Sequence, residues 1–308
     1  MTANTALAPI PYSPDLAPII ALVTDAVGSD NTRRAYGRAL ADFLTWRDAQ
    51  GRPALSRALV QSYARLLLDA GAAPASINQR LSAIRKLAAE AADNDLIDQT
   101  TAQAIQRVHG VKQEGRRLGN WLTLPQAQAM VNAPDTTTIK GLRDRAILAV
   151  LIGCGLRRAE LARLELRHIQ QRAGRWVIVD LVGKRRRVRS VPMPAWVKAA
   201  IDAWTTAAAL TGGLVLRPVT KGGRVLDAPL TTQAVFYVVT GYAAEMDLDL
   251  APHDLRRTYA KLAHQNGAAL EQIQITLGHA SIQTTERYLG VDLDLERGAG
   301  DYIPIRLT

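Results

Sequence analysis

Residues 176–193 read Trp-Val-Ile-Val-Asp-Leu-Val-Gly-Lys-Arg-Arg-Arg-Val-Arg-Ser-Val-Pro-Met. Two short runs, 176–182 and 188–193, are rich in β-branched residues and flank a basic turn from Gly183 to Arg187. Such runs joined by a short turn read as an antiparallel hairpin. Nearly everywhere else the apolar residues recur every three or four positions, the spacing of helices with one buried face. The expected fold class is therefore mainly α with a small antiparallel β-sheet.

Working outward from the hairpin, helices are expected to dominate from 194 to 289, with an interruption near 212–229. On its N-terminal side, 123–133 and 137–154 read as helices, and 156–168 looks helical too. Residues 111–120 are glycine-rich, charged and aperiodic, the composition of an interdomain linker. Upstream lie four helical patterns, near 14–28, from Ser29-Asp30-Asn31 to Gly51, at 56–70 and at 75–92, then a shorter one near 100–108. In the fourth, Ile77, Leu81, Ile84 and Leu87 face inward, and Arg80, Arg85 and Lys86 are expected to face outward. The expected division is a disordered N-terminus (1–12), a helical domain (13–110), the linker (111–120), a second domain (121–290) and a C-terminal tail (291–308).

The chain has 308 residues, enough for two cores. Lys and Arg number 38 against 28 Asp and Glu, a net charge of +10. A cationic soluble chain points to a polyanionic partner, most often nucleic acid. The single cysteine, Cys154, excludes an internal disulfide and a cysteine-rich zinc site, and fits a reducing cytoplasm. No secretory leader is read at the N-terminus, and no apolar run approaches the roughly 18 residues of a membrane span.

Four islands carry chemistry: Gly155-Leu156-Arg157-Arg158-Ala159-Glu160-Leu161; Gly183-Lys184-Arg185-Arg186-Arg187; His253-Asp254-Leu255-Arg256; and Leu277-Gly278-His279 with Tyr288 nine residues later. Taken singly, each of these side chains has an ordinary structural role. Together they suit phosphodiester transfer. Negative charge gathers on non-bridging oxygens, which arginine's planar fork of donors matches. The leaving oxygen needs a proton, and the nucleophile must lose one. A tyrosine hydroxyl at neutral pH is roughly 4 kcal/mol from ionised, so it needs a base or cations nearby.

In order and spacing these islands resemble the tyrosine recombinase, or phage integrase, family in its simple, Xer-like two-domain form. The resemblance implies that residues 13–110 form a SAM-like core-binding domain and 121–290 the catalytic domain. It implies that Tyr288 attacks a DNA phosphate to give a 3′-phosphotyrosyl bond, and that Arg157 and Arg256 clamp the phosphate oxygens. Lys184 would protonate the leaving 5′ oxygen, His253 act as general base and His279 hydrogen-bond the phosphate. Glu160 would orient neighbouring groups. The hairpin lacks the second glycine that many relatives carry after the lysine. No metal or other cofactor is implied. The implied partner is double-stranded DNA at a core site, bound by a tetramer on two sites that is a monomer or dimer off DNA, with accessory proteins left open. Arg33, Arg34, Arg80, Arg85, Lys86, Arg185, Arg186 and Arg187 are candidate DNA contacts. Two rival readings are a type IB topoisomerase-like enzyme and a catalytically silent DNA-binding relative.

Overall fold

The computed structural model describes residues 17–112, 120–183 and 188–289, and only the backbone of Ala17, Ile19, Arg287 and Tyr288. The expected N-terminal disorder, the turn residues Lys184 to Arg187, most of the linker and the tail lie outside the described residues. The chain divides into two compact units, residues 1–116 and 117–308.

The first unit is a bundle of α1 (Ala17–Asp25), α2 (Asp30–Ala49), α3 (Arg57–Asp69), α4 (Pro74–Asp93) and α5 (Gln99–Gln106). Local chemistry sets several helix starts. The Ser56 hydroxyl accepts from the Leu59 N–H at 3.2 Å, and the Asp98 carboxylate accepts from the Thr101 N–H at 2.8 Å. Pro74 opens α4, where its missing N–H would have had no helical partner. Ile77, Leu81, Ile84 and Leu87 of α4 pack with Leu40, Phe43 and Leu44 of α2 and with Val60 and Tyr63 of α3.

The basic residues of α4 differ from expectation. Arg80, Arg85 and Lys86 are half-buried rather than turned outward. Arg80 donates to Asp42 at 3.0 Å, Arg85 donates to the Val108 carbonyl, and Lys86 pairs with Glu90. α4 is the central helix, contacted by α1, α2, α3 and α5, so side chains flanking its apolar stripe reach neighbours before they reach solvent. Arg33 and Arg34 are exposed on α2.

The second unit contains α6 (Leu124–Asn132), α7 (Ile139–Cys154), α8 (Arg158–Leu161), β1 (Ile169–Arg172), β2 (Arg175–Val182), β3 (Val188–Met193), α9 (Ala195–Ala207), α10 (Thr232–Glu245), α11 (Pro252–Gln265), α12 (Leu270–Leu277) and α13 (Ile282–Leu289). α7 runs through the core and is buried without interruption from Ala146 to Cys154. Its Asp144, fully buried, accepts from Arg143 at 2.7 and 2.9 Å and from the Tyr242 hydroxyl of α10 at 3.3 Å. Burying a carboxylate is costly, and Arg143, the Tyr242 hydroxyl and Lys140, which donates at 3.0 Å, offset that cost.

The stretch 156–168, expected to be helical, holds only the four residues of α8 and a 3-10 turn at Leu166–His168. Its backbone is claimed elsewhere: the Leu166 N–H donates to the Gly213 carbonyl at 2.9 Å and the Val215 N–H to the Leu164 carbonyl at 2.8 Å. The strand that follows, β1, was not anticipated.

The three strands form an antiparallel sheet in the order β1-β2-β3. Ile178 opposes Val191, but Leu181 opposes Arg189, so Val179 and Asp180 share one partner position, Ser190. This is a β-bulge, and Asp180 takes the left-handed φ of 56° inside it. Among the described residues no helix is long and apolar enough to cross a membrane.

Candidate active site

Two helices end on left-handed glycines, and each glycine delivers a candidate residue. α7 closes on Gly155 (φ 60°), and two residues later Arg157 opens α8. α12 closes on Gly278 (φ 63°), and His279 follows at once. A Cβ on Gly155 would lie 2.7 Å from the Tyr259 ring, so both conformation and space require glycine there.

Arg256 joins these two ends. Its side chain is 1% exposed, and its two terminal nitrogens donate to the carbonyls of Gly155 and Leu277. Those are the carbonyls left open where α7 and α12 stop, so one guanidinium satisfies both helix ends. Arg256 stands one turn after His253, and Pro252 opens this helix, α11. Residues three apart on a helix share a face, which brings His253 to the same side.

Glu160 and Arg189 form a second junction. The Glu160 carboxylate accepts from the Arg157 backbone N–H at 2.9 Å and from the Arg157 guanidinium at 2.8 Å. It also accepts two bonds from Arg189, at 3.0 and 2.9 Å. Arg189 in turn donates through Nε to the Thr276 carbonyl at 2.7 Å. The strand β3, the start of α8 and the end of α12 thus meet on one nearly buried arginine. Burial alone would raise the Glu160 carboxyl, but the bonds and charges of Arg189 and Arg157 overcome it and hold the group at about 2.

Both histidines are held neutral at pH 7. Loss of water and the charges of Arg256, Arg157 and Arg189 pull His279 down to about 4. His253 is lowered in the same direction by partial burial and by Arg256, Arg257 and Arg157, with Asp254 opposing, although the residue as a whole remains exposed. Arg157 and Arg256 act on both imidazoles, so these four candidate groups share one electrostatic environment. The His279 Nδ1 lies 3.0 Å from the hydroxyl of Thr285, which is fully buried on α13.

Of the residues expected from sequence, Arg157, Glu160, His253, Arg256 and His279 are brought together. Tyr288 lies in α13 by its backbone. Lys184, Arg185, Arg186 and Arg187 fall outside the described residues. Sequence reasoning missed Arg189 and Thr285. Arg189 had a legible signal: it shares the alternation of Val191 and Met193, both buried, so it stands on the core face of β3.

Residues 120–293 match the family described as Phage integrase family, and residues 21–94 match Phage integrase, N-terminal SAM-like domain. The chain belongs to the phage integrase family. It is 30% identical over 272 residues to tyrosine recombinase XerD of Pseudomonas putida, covering 85% of this chain and 87% of that protein. XerD of Staphylococcus aureus is 29% identical over 271 residues, covering 85% and 88%. Among solved structures, the post-cleavage complex of XerH site-specific recombinase bound to palindromic difH substrate matches with a TM-score of 0.69 at 17% identity, covering 84% of this chain and 76% of that one. A lambda integrase dimer bound to a COC′ core site matches with a TM-score of 0.67 at 16% identity, covering 89% and 75%. At these identities the structural likenesses establish the fold, mainly helical with a small antiparallel sheet.

Proposed function

We propose that this integrase-family chain is a site-specific DNA recombinase that breaks and rejoins strands through a covalent bond to Tyr288. One observation carries the reading: Arg157, Arg256, His253 and His279, drawn from three separate islands, meet around the two helix ends that Arg256 joins. The XerH structure is bound to a difH substrate and the lambda integrase structure to a core site, and the excess of cationic side chains of this chain fits a DNA partner.

The Tyr288 oxygen attacks the scissile phosphorus, the bond to the 5′ oxygen breaks, and a 3′-phosphotyrosyl ester remains. His253, neutral at pH 7, accepts the phenolic proton. Lys184 donates a proton to the departing 5′ oxygen. Arg157 and Arg256 stabilise the charge that develops on the non-bridging oxygens. A guanidinium presents its donors in a planar fork, the geometry that phosphate oxygens accept from. His279 donates one hydrogen bond to the same phosphate. The ester conserves the energy of the broken bond, so a freed 5′ hydroxyl from a partner strand reverses the step. Four protomers on two DNA sites exchange strands in pairs through a Holliday junction.

The test is a suicide-substrate assay with nicked DNA, comparing the wild type with Tyr288→Phe on denaturing gels. A slower protein–DNA band in the wild type alone is expected, with DNA binding retained in the variant. Adducts at normal yield from Tyr288→Phe would remove Tyr288 from this role.

A further inference from the structure

We propose that Thr285 is a positioning residue: it fixes the tautomer of His279 and registers the tyrosine-bearing helix against it. The proposal rests on the reading of His279 as a donor to phosphate.

Thr285 is fully buried, and its hydroxyl lies 3.0 Å from His279 Nδ1. A buried hydroxyl has to place its proton on an acceptor. Helical threonines usually turn back on their own backbone. Thr258 does so, donating to the Asp254 carbonyl at 2.9 Å, and Thr240 donates to the Phe236 carbonyl at 3.0 Å. Thr285 instead has its hydrogen bond with the imidazole.

A neutral imidazole has one N–H, on one nitrogen or the other. When Thr285 donates to Nδ1, the ring proton sits on Nε2. Nε2–H is then a donor, which is what a phosphate oxygen requires. In the opposite tautomer Nε2 would turn a lone pair toward an anion. Burial and the arginine charges keep this ring neutral down to about pH 4, so its tautomer, not its charge, decides whether it helps.

The same bond acts on α13. Leu289, four residues after Thr285, is 1% exposed and packs with Ala260, Ile273 and Leu277. Thr285 and Leu289 therefore mark the inward face of α13, and Tyr288 stands one turn after the threonine. A bond from that face to His279 holds the helix in register with the Gly278–His279 turn.

The experiment measures cleavage of nicked DNA at saturation for Thr285→Val, Thr285→Ser, His279→Ala and the Thr285→Val/His279→Ala double variant, with DNA affinity and thermal melting alongside. Thr285→Val keeps the shape and loses the hydroxyl, and is expected to cleave roughly tenfold or more slowly with unchanged affinity, the scale of losing a partner that orients a functional histidine. Thr285→Ser restores the hydroxyl and is expected to cleave near the wild-type rate. In the His279→Ala background, Thr285→Val should cost nothing further, since the two act as a unit.

Full activity in Thr285→Val beside a slow His279→Ala overturns the proposal, as does a Thr285→Ser variant as slow as the valine. Normal cleavage by His279→Ala rejects instead the role of His279, and the proposal falls with it. Should Thr285→Val melt early, nitrogen NMR of the histidines in the wild type decides. A protonated Nε2 on His279 is expected, and a protonated Nδ1 overturns the proposal.

Discussion

Arg157 and Arg256 carry the same charge and the same proposed duty toward phosphate, yet their surroundings differ. The side chain of Arg157 is 34% exposed and rests on a carboxylate that Arg189 also holds. Arg256 is buried and closes two helix ends. Their alanine variants should therefore separate catalysis from stability. Both should lose cleavage by orders of magnitude, since a lost oxyanion contact of this kind costs about 3 kcal/mol. Only Arg256→Ala should also lose on the order of 3 kcal/mol of folding stability, because it strands two buried carbonyls. Urea unfolding of the two variants checks this. An Arg256→Ala protein that unfolds at the wild-type midpoint would show that the helix ends find other partners.

At the scale of elements, the Glu160–Arg189 pair binds β3, α8 and the end of α12, and its contribution should depend on pH. Glu160 titrates at about 2 in the folded chain against an ordinary value of 4.5. Above 4.5 both folded and unfolded chains carry the charge, and the pair contributes in full, on the order of 3 kcal/mol. As pH falls from 4.5 toward 2 the unfolded chain takes up a proton that the folded site refuses, and the contribution is lost. Glu160→Gln should therefore be less stable than the wild type at pH 7, with the gap closing on acidification. A gap that stays constant from pH 7 to 3 would mean that the carboxylate charge contributes nothing. The elements themselves were unevenly legible. α7 and the hairpin strands announced themselves through unbroken apolar runs and β-branched residues. β1, Ile-Gln-Gln-Arg, has no such pattern because an edge strand of this sheet is held by backbone pairing with β2. The candidate residues could be named because their order along the chain is visible. The junctions were less legible: the alternation of β3 puts Arg189 on the core face, but its partners Glu160 and Thr276 lie 29 and 87 residues away, and Thr285 meets His279 across the break between α12 and α13, a geometry that residue spacing alone does not carry.

The two units, 1–116 and 117–308, have separate cores, and the proposed catalytic groups all lie in the second. Charge is divided unequally as well: 13 cationic against 11 acidic side chains in the first unit, and 25 against 17 in the second. Several cations of the first unit are also spent internally, Arg80 on Asp42 and Arg85 on a carbonyl. A fragment of residues 117–308 is therefore expected to fold with a cooperative melt and to keep the catalytic groups. Its DNA binding should be weaker than the full chain's, because the second event in a linked pair proceeds at the effective concentration set by the linker. The salt dependence discriminates between explanations. Each phosphate neutralised adds about 0.9 to the slope of log affinity against log salt. If the first unit grips the DNA backbone through Arg33 and Arg34, the full chain should show a slope steeper than the fragment's by about 2. Cleavage by the fragment at saturating DNA should then approach that of the full chain. Equal slopes with unequal affinities would mean that the first unit adds contacts other than phosphate neutralisation, and equal affinities would remove it from DNA binding altogether.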